Sequence, residues 1–142
     1  MQIHIINGPN LNLLGIRQPE IYGFEKFEDY FRKLESEFGQ IDLHYFQSNV
    51  EGELINYLHE IGFSANGIII NAGGYTHTSV AIADAISSIE SPCIEVHISN
   101  PAAREPFRHT SFLSKSVIGS IAGFGFESYR MGLQFLLDKK VI

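Results

Sequence analysis

Short apolar runs alternate with helical patterns along the whole chain, and that alternation restricts the fold more than any other feature. "IHIIN" (3–7), "IDLHYFQ" (41–47), "GIIIN" (67–71), "CIEVHIS" (93–99) and "SVIGSIAG" (116–123) read as strands. Between them, residues 25–38 place Phe27, Tyr30, Phe31, Leu34 and Phe38 on one helical stripe, which Gly39 stops. Residues 51–61, with Leu54, Ile55, Leu58 and Ile61, form a second helix ending at Gly62. Residues 79–89 form a third and 126–138 a closing one. Strands without a polar face, each feeding a helix, imply a parallel sheet covered on both sides. Five such units fit an α/β, flavodoxin-like, doubly wound fold of three layers with a five-stranded parallel sheet. The 142 residues contain no linker, repeat or low-complexity stretch and read as one domain, 1–142.

Composition narrows the function classes. Net charge is −6, and no basic cluster exists beyond Lys139 and Lys140 at the tail, so a nucleic-acid footprint is missing. No apolar run nears the ~20 residues that span a bilayer. "MQIHIING" lacks the basic and apolar regions of a signal peptide, and a cytosolic location is expected. The single cysteine, Cys93, rules out an internal disulfide and reads as a packed thiol.

In open parallel sheets ligands bind beyond the carboxyl ends of the strands, where strand order reverses. There the sequence gathers Asn7, Asn10, Asn12, Arg17 and Tyr22 after strand one, and Asn71, Gly73, Gly74, Tyr75, Thr76 and His77 after strand three. His97, Ser99, Asn100, Arg104 and Arg108 end or follow strand four. Turn building accounts for Asn7, Gly8 and Gly73, but poorly for two histidines and three arginines. In "CIEVHI", Glu95 and His97 are two apart and share one face of an apolar strand. A carboxylate and an imidazole there must pair, which orients the ring as a general acid; the plain alternative is a structural pair on an edge strand. His77 alone would more often be a turn residue, and Tyr75 reads as structural.

Other chemistries lack their motifs. The six histidines never show the helical i, i+4 zinc spacing, and no cysteine cluster joins them. "NGPNLNLLG" is neither G-x-G-x-x-G nor a Walker A loop, and no serine lies in G-x-S-x-G. The lysines sit on an amphipathic helix (26, 33), in a polar stretch (115) or at the tail, where Schiff-base chemistry is not expected. What remains is acid–base chemistry without a cofactor or metal, and the arginines imply a negatively charged substrate.

Four blocks, "NGPNLNLLGIRQPEIYG" (7–23), "NAGGYTHTSVAIADA" (71–85), "EVHISN" (95–100) and "REPFRHTSF" (104–112), resemble type II 3-dehydroquinate dehydratase in order and spacing across nearly the whole chain. Ala72 and Gly74 depart from the family's common Pro and Ala, at turn positions. The resemblance implies anti elimination of water from 3-dehydroquinate to 3-dehydroshikimate, in aromatic biosynthesis or quinate catabolism. Tyr22 as phenolate would remove a C2 proton, an enolate would form, and His97 would protonate the leaving C1 hydroxyl. Arg17 would assist Tyr22, and Asn10 would hold a water near the enolate oxygen. Asn71, His77 and Arg108 would bind substrate hydroxyls, and the Ile98 amide and Ser99 hydroxyl the carboxylate. Asp84 matches an aspartate given by a neighbouring subunit in a dodecamer of four trimers. Helix three, small and apolar with Asp84 its only charge, independently suggests burial on two sides.

Ionising a phenol near neutrality needs about 4 kcal/mol, and a guanidinium about 4 Å away at an effective dielectric of ~20 supplies that much. Arg17, with Arg108 helping, is the expected source, which makes 15–23 a lid carrying a base and its activator. The competing reading of Tyr22 is a packed loop aromatic. A flavodoxin-like receiver module would need acidic residues where this chain has asparagines, and a catalytically dead relative would lack Arg17, Tyr22 or His97.

Overall fold

The computed structural model describes residues 1–139; Lys140, read above as tail, lies outside them. Five strands, β1 (Gln2–Asn7), β2 (Asp42–Gln47), β3 (Gly67–Asn71), β4 (Cys93–His97) and β5 (Gly119–Ala122), pair in the order β2-β1-β3-β4-β5. Every pairing is parallel, as expected. A one-turn helix α1 (Pro19–Tyr22) precedes α2 (Phe27–Glu37), α3 (Glu51–Ile61), α4 (Val80–Ser87) and α5 (Glu127–Lys139). Among the described residues no helix is long and apolar enough to cross a membrane.

The absence of a polar strand face produces two cores. On one side Ile3, Ile5, Ile69, Ile94 and Val96 meet Phe27, Tyr30 and Leu34 of α2 and Tyr129, Leu133 and Leu136 of α5. On the other, Ile6, Ile68, Ile70 and Cys93 meet Leu54 and Leu58 of α3 and Ile82 and Ile86 of α4. Each fully buried apolar side chain contributes about 1.5–3 kcal/mol relative to exposure, so Phe27, packed against four aromatic rings, is among the costliest to remove.

The differences from the sequence reading lie at element ends. β4 stops at His97 because Ser99 and Asn100 turn the chain, with the Asn100 side chain accepting from the Ala102 amide. β5 begins at Gly119, since Ser116 closes a turn onto Leu113. α4 is shorter than 79–89: Ser79 caps it by accepting from the Ile82 amide at 2.9 Å. The segment 15–23, given no secondary structure above, contains α1, one turn opened by Pro19. β4 is also an interior strand, between β3 and β5, so an edge-strand explanation of Glu95 and His97 does not hold.

The chain leaves β1 toward β2 and returns across it to β3, which makes the β1/β3 boundary the switch point. The turns after these strands touch there. A Cβ on Gly8 would lie 2.5 Å from the Ala72 carbonyl oxygen, so only glycine lets the two turns meet.

Candidate active site

Period-two geometry puts Glu95 and His97 side by side, and the His97 Nε2 lies 2.8 Å from Glu95 Oε1. Glu95 is 1% exposed. Its carboxylate also accepts from the hydroxyls of Ser111 at 2.6 Å, Ser120 at 3.0 Å and Ser114 at 3.3 Å. Burial raises the carboxyl's proton affinity, but the hydrogen bonds from His97, Ser111 and Ser120 outweigh it and hold Glu95 below the usual carboxylate range. With Nε2 committed to Glu95, Nδ1 is the His97 nitrogen left for a substrate. The His77 ring stacks 6.3 Å from that of His97, and its Nδ1 donates to the Thr110 carbonyl at 2.8 Å.

Opposite this pair, Tyr22 enters on α1. The loop around it is shaped by left-handed backbone at Gly15 (φ 91°), Gln18 (φ 42°) and Gly23 (φ 80°). Gln18 is the strained member, since a side chain disfavours that region by roughly 1–2 kcal/mol. The arginine on the Tyr22 hydroxyl is Arg104: its Nη1 donates to that oxygen at 2.9 Å and to Ser99 Oγ at 3.2 Å. Arg17, expected to be the activator, instead lies with its Cζ 5.5 Å from the Tyr22 ring centroid. Arg108 lines the cleft while its Nε donates to Glu105 at 2.7 Å.

The floor is fixed by a buried network. Tyr129 of α5 donates to Asn7 Oδ1 at 2.8 Å and accepts from Asn71 Nδ2 at 2.9 Å, tying the ends of β1 and β3 together. Asn71 Oδ1 in turn accepts from the Gly73 amide. Burial pushes the Tyr129 phenol far up, so it remains a neutral hydrogen-bonding strut. Asn10 takes left-handed backbone (φ 68°), which asparagine tolerates, and Asn49 accepts from its amide at 2.9 Å.

The cleft thus brings together Asn10, Arg17, Tyr22, Asn71, His77, His97, Ile98, Ser99 and Arg108 from the sequence reading. Glu95 supports it from behind. Asp84 is not in it: it sits on the exposed side of α4, in a separate groove with Val80, Ser111 and Lys115. The sequence put Arg104 at this edge but gave it no specific role, and the three serines and Tyr129 went unassigned. Arg104 had one signal, its place five residues after Ser99 in an arginine-bearing block; a serine or a helical tyrosine has none.

Fold and site together define a doubly wound α/β protein with an acid–base cleft at its switch point, where a phenol bound by arginine faces an imidazole bound by carboxylate. The family model described as class II dehydroquinase matches residues 1–137, and the chain belongs to that family. It is 50% identical over 143 residues to a 3-dehydroquinate dehydratase of Clostridium perfringens (strain ATCC 13124), covering 98% of this chain and 99% of that protein. With the 3-dehydroquinate dehydratase of Campylobacter hominis it shares 48% identity over 140 residues, 97% of this chain and 90% of that one. The crystal structure of the type II dehydroquinase from Butyrivibrio crossotus superposes with a TM-score of 0.93 at 43% identity, over 96% of this chain and 97% of that one. The Propionibacterium acnes type II dehydroquinase gives 0.92 at 41%, over 96% of each chain.

Proposed function

We propose that the protein dehydrates 3-dehydroquinate to 3-dehydroshikimate in the shikimate pathway, by anti elimination through an enolate and without a cofactor. The observation that carries this reading is the 2.9 Å bond from Arg104 Nη1 to the Tyr22 hydroxyl, across one cleft from the His97–Glu95 pair. A guanidinium donating to a phenolic oxygen favours the phenolate, and arginine keeps its charge at any working pH. Tyr22 then removes the C2 proton, and Arg104 and Arg17 together offset the negative charge. His97, oriented by Glu95, hands a proton to the departing C1 hydroxyl. Both groups face one cavity from different walls, which suits an anti elimination.

The remaining roles follow the lining. Ser99 Oγ accepts from Arg104, so its own hydrogen is available to a carboxylate beside the Ile98 amide. Asn71, His77 and Arg108 would bind substrate hydroxyls and Asn10 a water near the enolate oxygen, a reading supported by all four lining the cleft. Asp84, exposed and turned away from its own cleft, suits service to a neighbouring subunit, in a cytoplasmic homododecamer built of trimers. Val80, 59% exposed beside it, supplies apolar surface for such a contact.

The direct test is to add 3-dehydroquinate and follow the ultraviolet absorbance of the conjugated enone. Activity that survives borohydride excludes an imine intermediate. No absorbance change with folded, oligomeric protein defeats the assignment, and a fully active monomer by sedimentation defeats the role of Asp84.

A further inference from the structure

Glu95 is held far more elaborately than an orienting carboxylate requires. One bond to His97 would fix the ring, yet three serine hydroxyls from two separate pieces of chain also point at the same carboxylate. Ser120 arrives on β5, where it is the register partner of Glu95 across the parallel pairing. Ser111 and Ser114 come from the turn before that strand, and Ser111 Oγ also accepts from the Leu113 amide at 3.1 Å. The serines reach the protein surface while the carboxylate they contact is closed to solvent.

We infer that Ser111, Ser114 and Ser120 form a hydroxyl cage that keeps Glu95 a carboxylate and thereby keeps His97 oriented and ready to give up its proton. They are positioning residues, acting through Glu95 without touching substrate, and this role rests on the dehydratase reading above. The reason lies in donor counting. A buried carboxylate with a single partner gains a proton readily, and a protonated Glu95 would compete for the bond that aims His97. Hydroxyls donating to both oxygens stabilise the anion more than the acid.

Other charged groups face this neighbourhood from every side. His77, Arg104 and Arg108 lie across the cleft, with Arg17 and Tyr22 beyond them. His109 lines the outer cavity, while Asp84 and Lys115 share a groove with Ser111 and Ser114. Glu105 is held in ion pairs by Arg104 and Arg108. None of these makes a hydrogen bond to Glu95, whose partners among the described residues are His97 and the three serines.

The sign is fixed by which state the cage favours. The hydroxyls lower the pH at which Glu95 takes up a proton, so removing them raises it. Ser120→Ala should move the acid limb of the kcat/KM profile upward by about one pH unit, with Ser111→Ala/Ser120→Ala moving it further. The plateau rate should change less than the limb. Ser120→Thr, which keeps a hydroxyl on the strand, should restore the original profile. Ser116→Ala, whose hydroxyl pairs with Ser87 instead, is the neighbouring control and should leave the limb in place.

Carbon-13 NMR of the Glu95 carboxyl in the substrate-free protein gives a second readout, with circular dichroism at each pH checking the fold. A carboxyl titrating higher in Ser120→Ala supports the cage even if 3-dehydroquinate proves not to be turned over. An unshifted carboxyl and an unshifted limb in folded Ser111→Ala/Ser120→Ala would overturn it and leave the serines as mere packing.

Discussion

On one wall of the cleft Glu95 is 1% exposed and accepts from four side chains; on the other, Tyr22 rides a loop whose Ile16 and Phe24 stand 70% and 81% exposed. The first wall belongs to an interior strand, and its geometry cannot change without breaking the sheet. The second is held by a one-turn helix, three left-handed backbone positions and the reach of one arginine from elsewhere in the chain. The proposed proton donor, His97, is thus built into the scaffold and oriented by it. The proposed base, by contrast, is carried on a largely exposed segment and held by one long-range hydrogen bond. The difference teaches that stability and activity should separate on the loop and travel together on the strand.

Tyr22→Phe tests the loop side with the largest expected loss. It removes one oxygen from a half-buried ring, so kcat should fall about 10³-fold, while the thermal midpoint stays close to that of the unaltered protein. Glu95→Ala tests the strand side. It leaves an imidazole and three hydroxyls without their acceptor, so activity should fall about 10²-fold and stability by about 3–5 kcal/mol. A Glu95→Ala protein as stable as the original would show that the two walls do not differ in the way described.

The next comparison lies within the loop wall. Arg104 donates directly to the Tyr22 oxygen whereas Arg17 meets the ring, so Arg104→Ala should reduce kcat more than Arg17→Ala. Both losses should be in the range of one to three orders of magnitude, roughly the effect of removing one charged donor at a reacting oxygen. The reverse ranking, measured as initial rates at saturating substrate, would restore Arg17 as the principal activator.

These assignments also mark where sequence reasoning succeeds. A period of two is a local property, so Glu95 and His97 declare their shared face within three residues. The sheet follows in the same way from runs such as "GIIIN". Arg104 reaches Tyr22 across 82 positions, and Tyr129 reaches Asn7 across 122. Sequence position marks Arg104 as near the cleft but does not name its partner, and nothing local distinguishes Tyr129 from other tyrosines, because partners are chosen by how the folded loops and α5 come to rest. The serines are harder still. Their residue type is the commonest of turn formers, and only the pairing register of β4 with β5 shows that Ser120 meets Glu95. Strand and helix ends differ for a related reason: a turn such as Ser116 onto Leu113 takes up the first residue of a segment that composition alone assigns to the strand.

A second buried ionisable group sharpens the contrast with Glu95. His4, on β1, stacks on His44 with ring centroids 4.7 Å apart and bonds Tyr57 at 2.8 Å, but its Nε2 has no hydrogen-bond partner among the described residues. Burial first, and His44 second, lower its proton affinity from 6.5 to about 4, against a smaller opposing pull from Asp42. The unfolded chain therefore takes up a proton that the folded one refuses between those values. Stability is complete above pH 6.5, falls as pH drops toward about 4, and loses nothing further from this group below that. Glu95, held low, withdraws its contribution only as the pH falls below the ordinary carboxylate range. Urea unfolding should lose about 2–3 kcal/mol between neutrality and the lower limit. His4→Phe, which keeps the stack and cannot titrate, should flatten that slope while the Glu95 step remains.

The smallest effects belong to the turn between the walls, where Gly73 and Gly74 stand side by side. Gly73 has φ 58°, and a Cβ there would come 3.0 Å from the Pro9 carbonyl oxygen, so Gly73→Ala should cost about 1–2 kcal/mol. Gly74 has ordinary backbone and nothing within 4 Å of an added Cβ. Gly74→Ala restricts only the unfolded chain and should stabilise by about 0.4–1 kcal/mol. Its activity should change little, since the methyl group meets no protein atom, although Gly74 lines the cleft. A rise in KM with kcat unchanged would mean that the methyl crowds the substrate, whereas a fall in kcat alone would mean that this turn moves during the reaction and belongs with the Tyr22 loop.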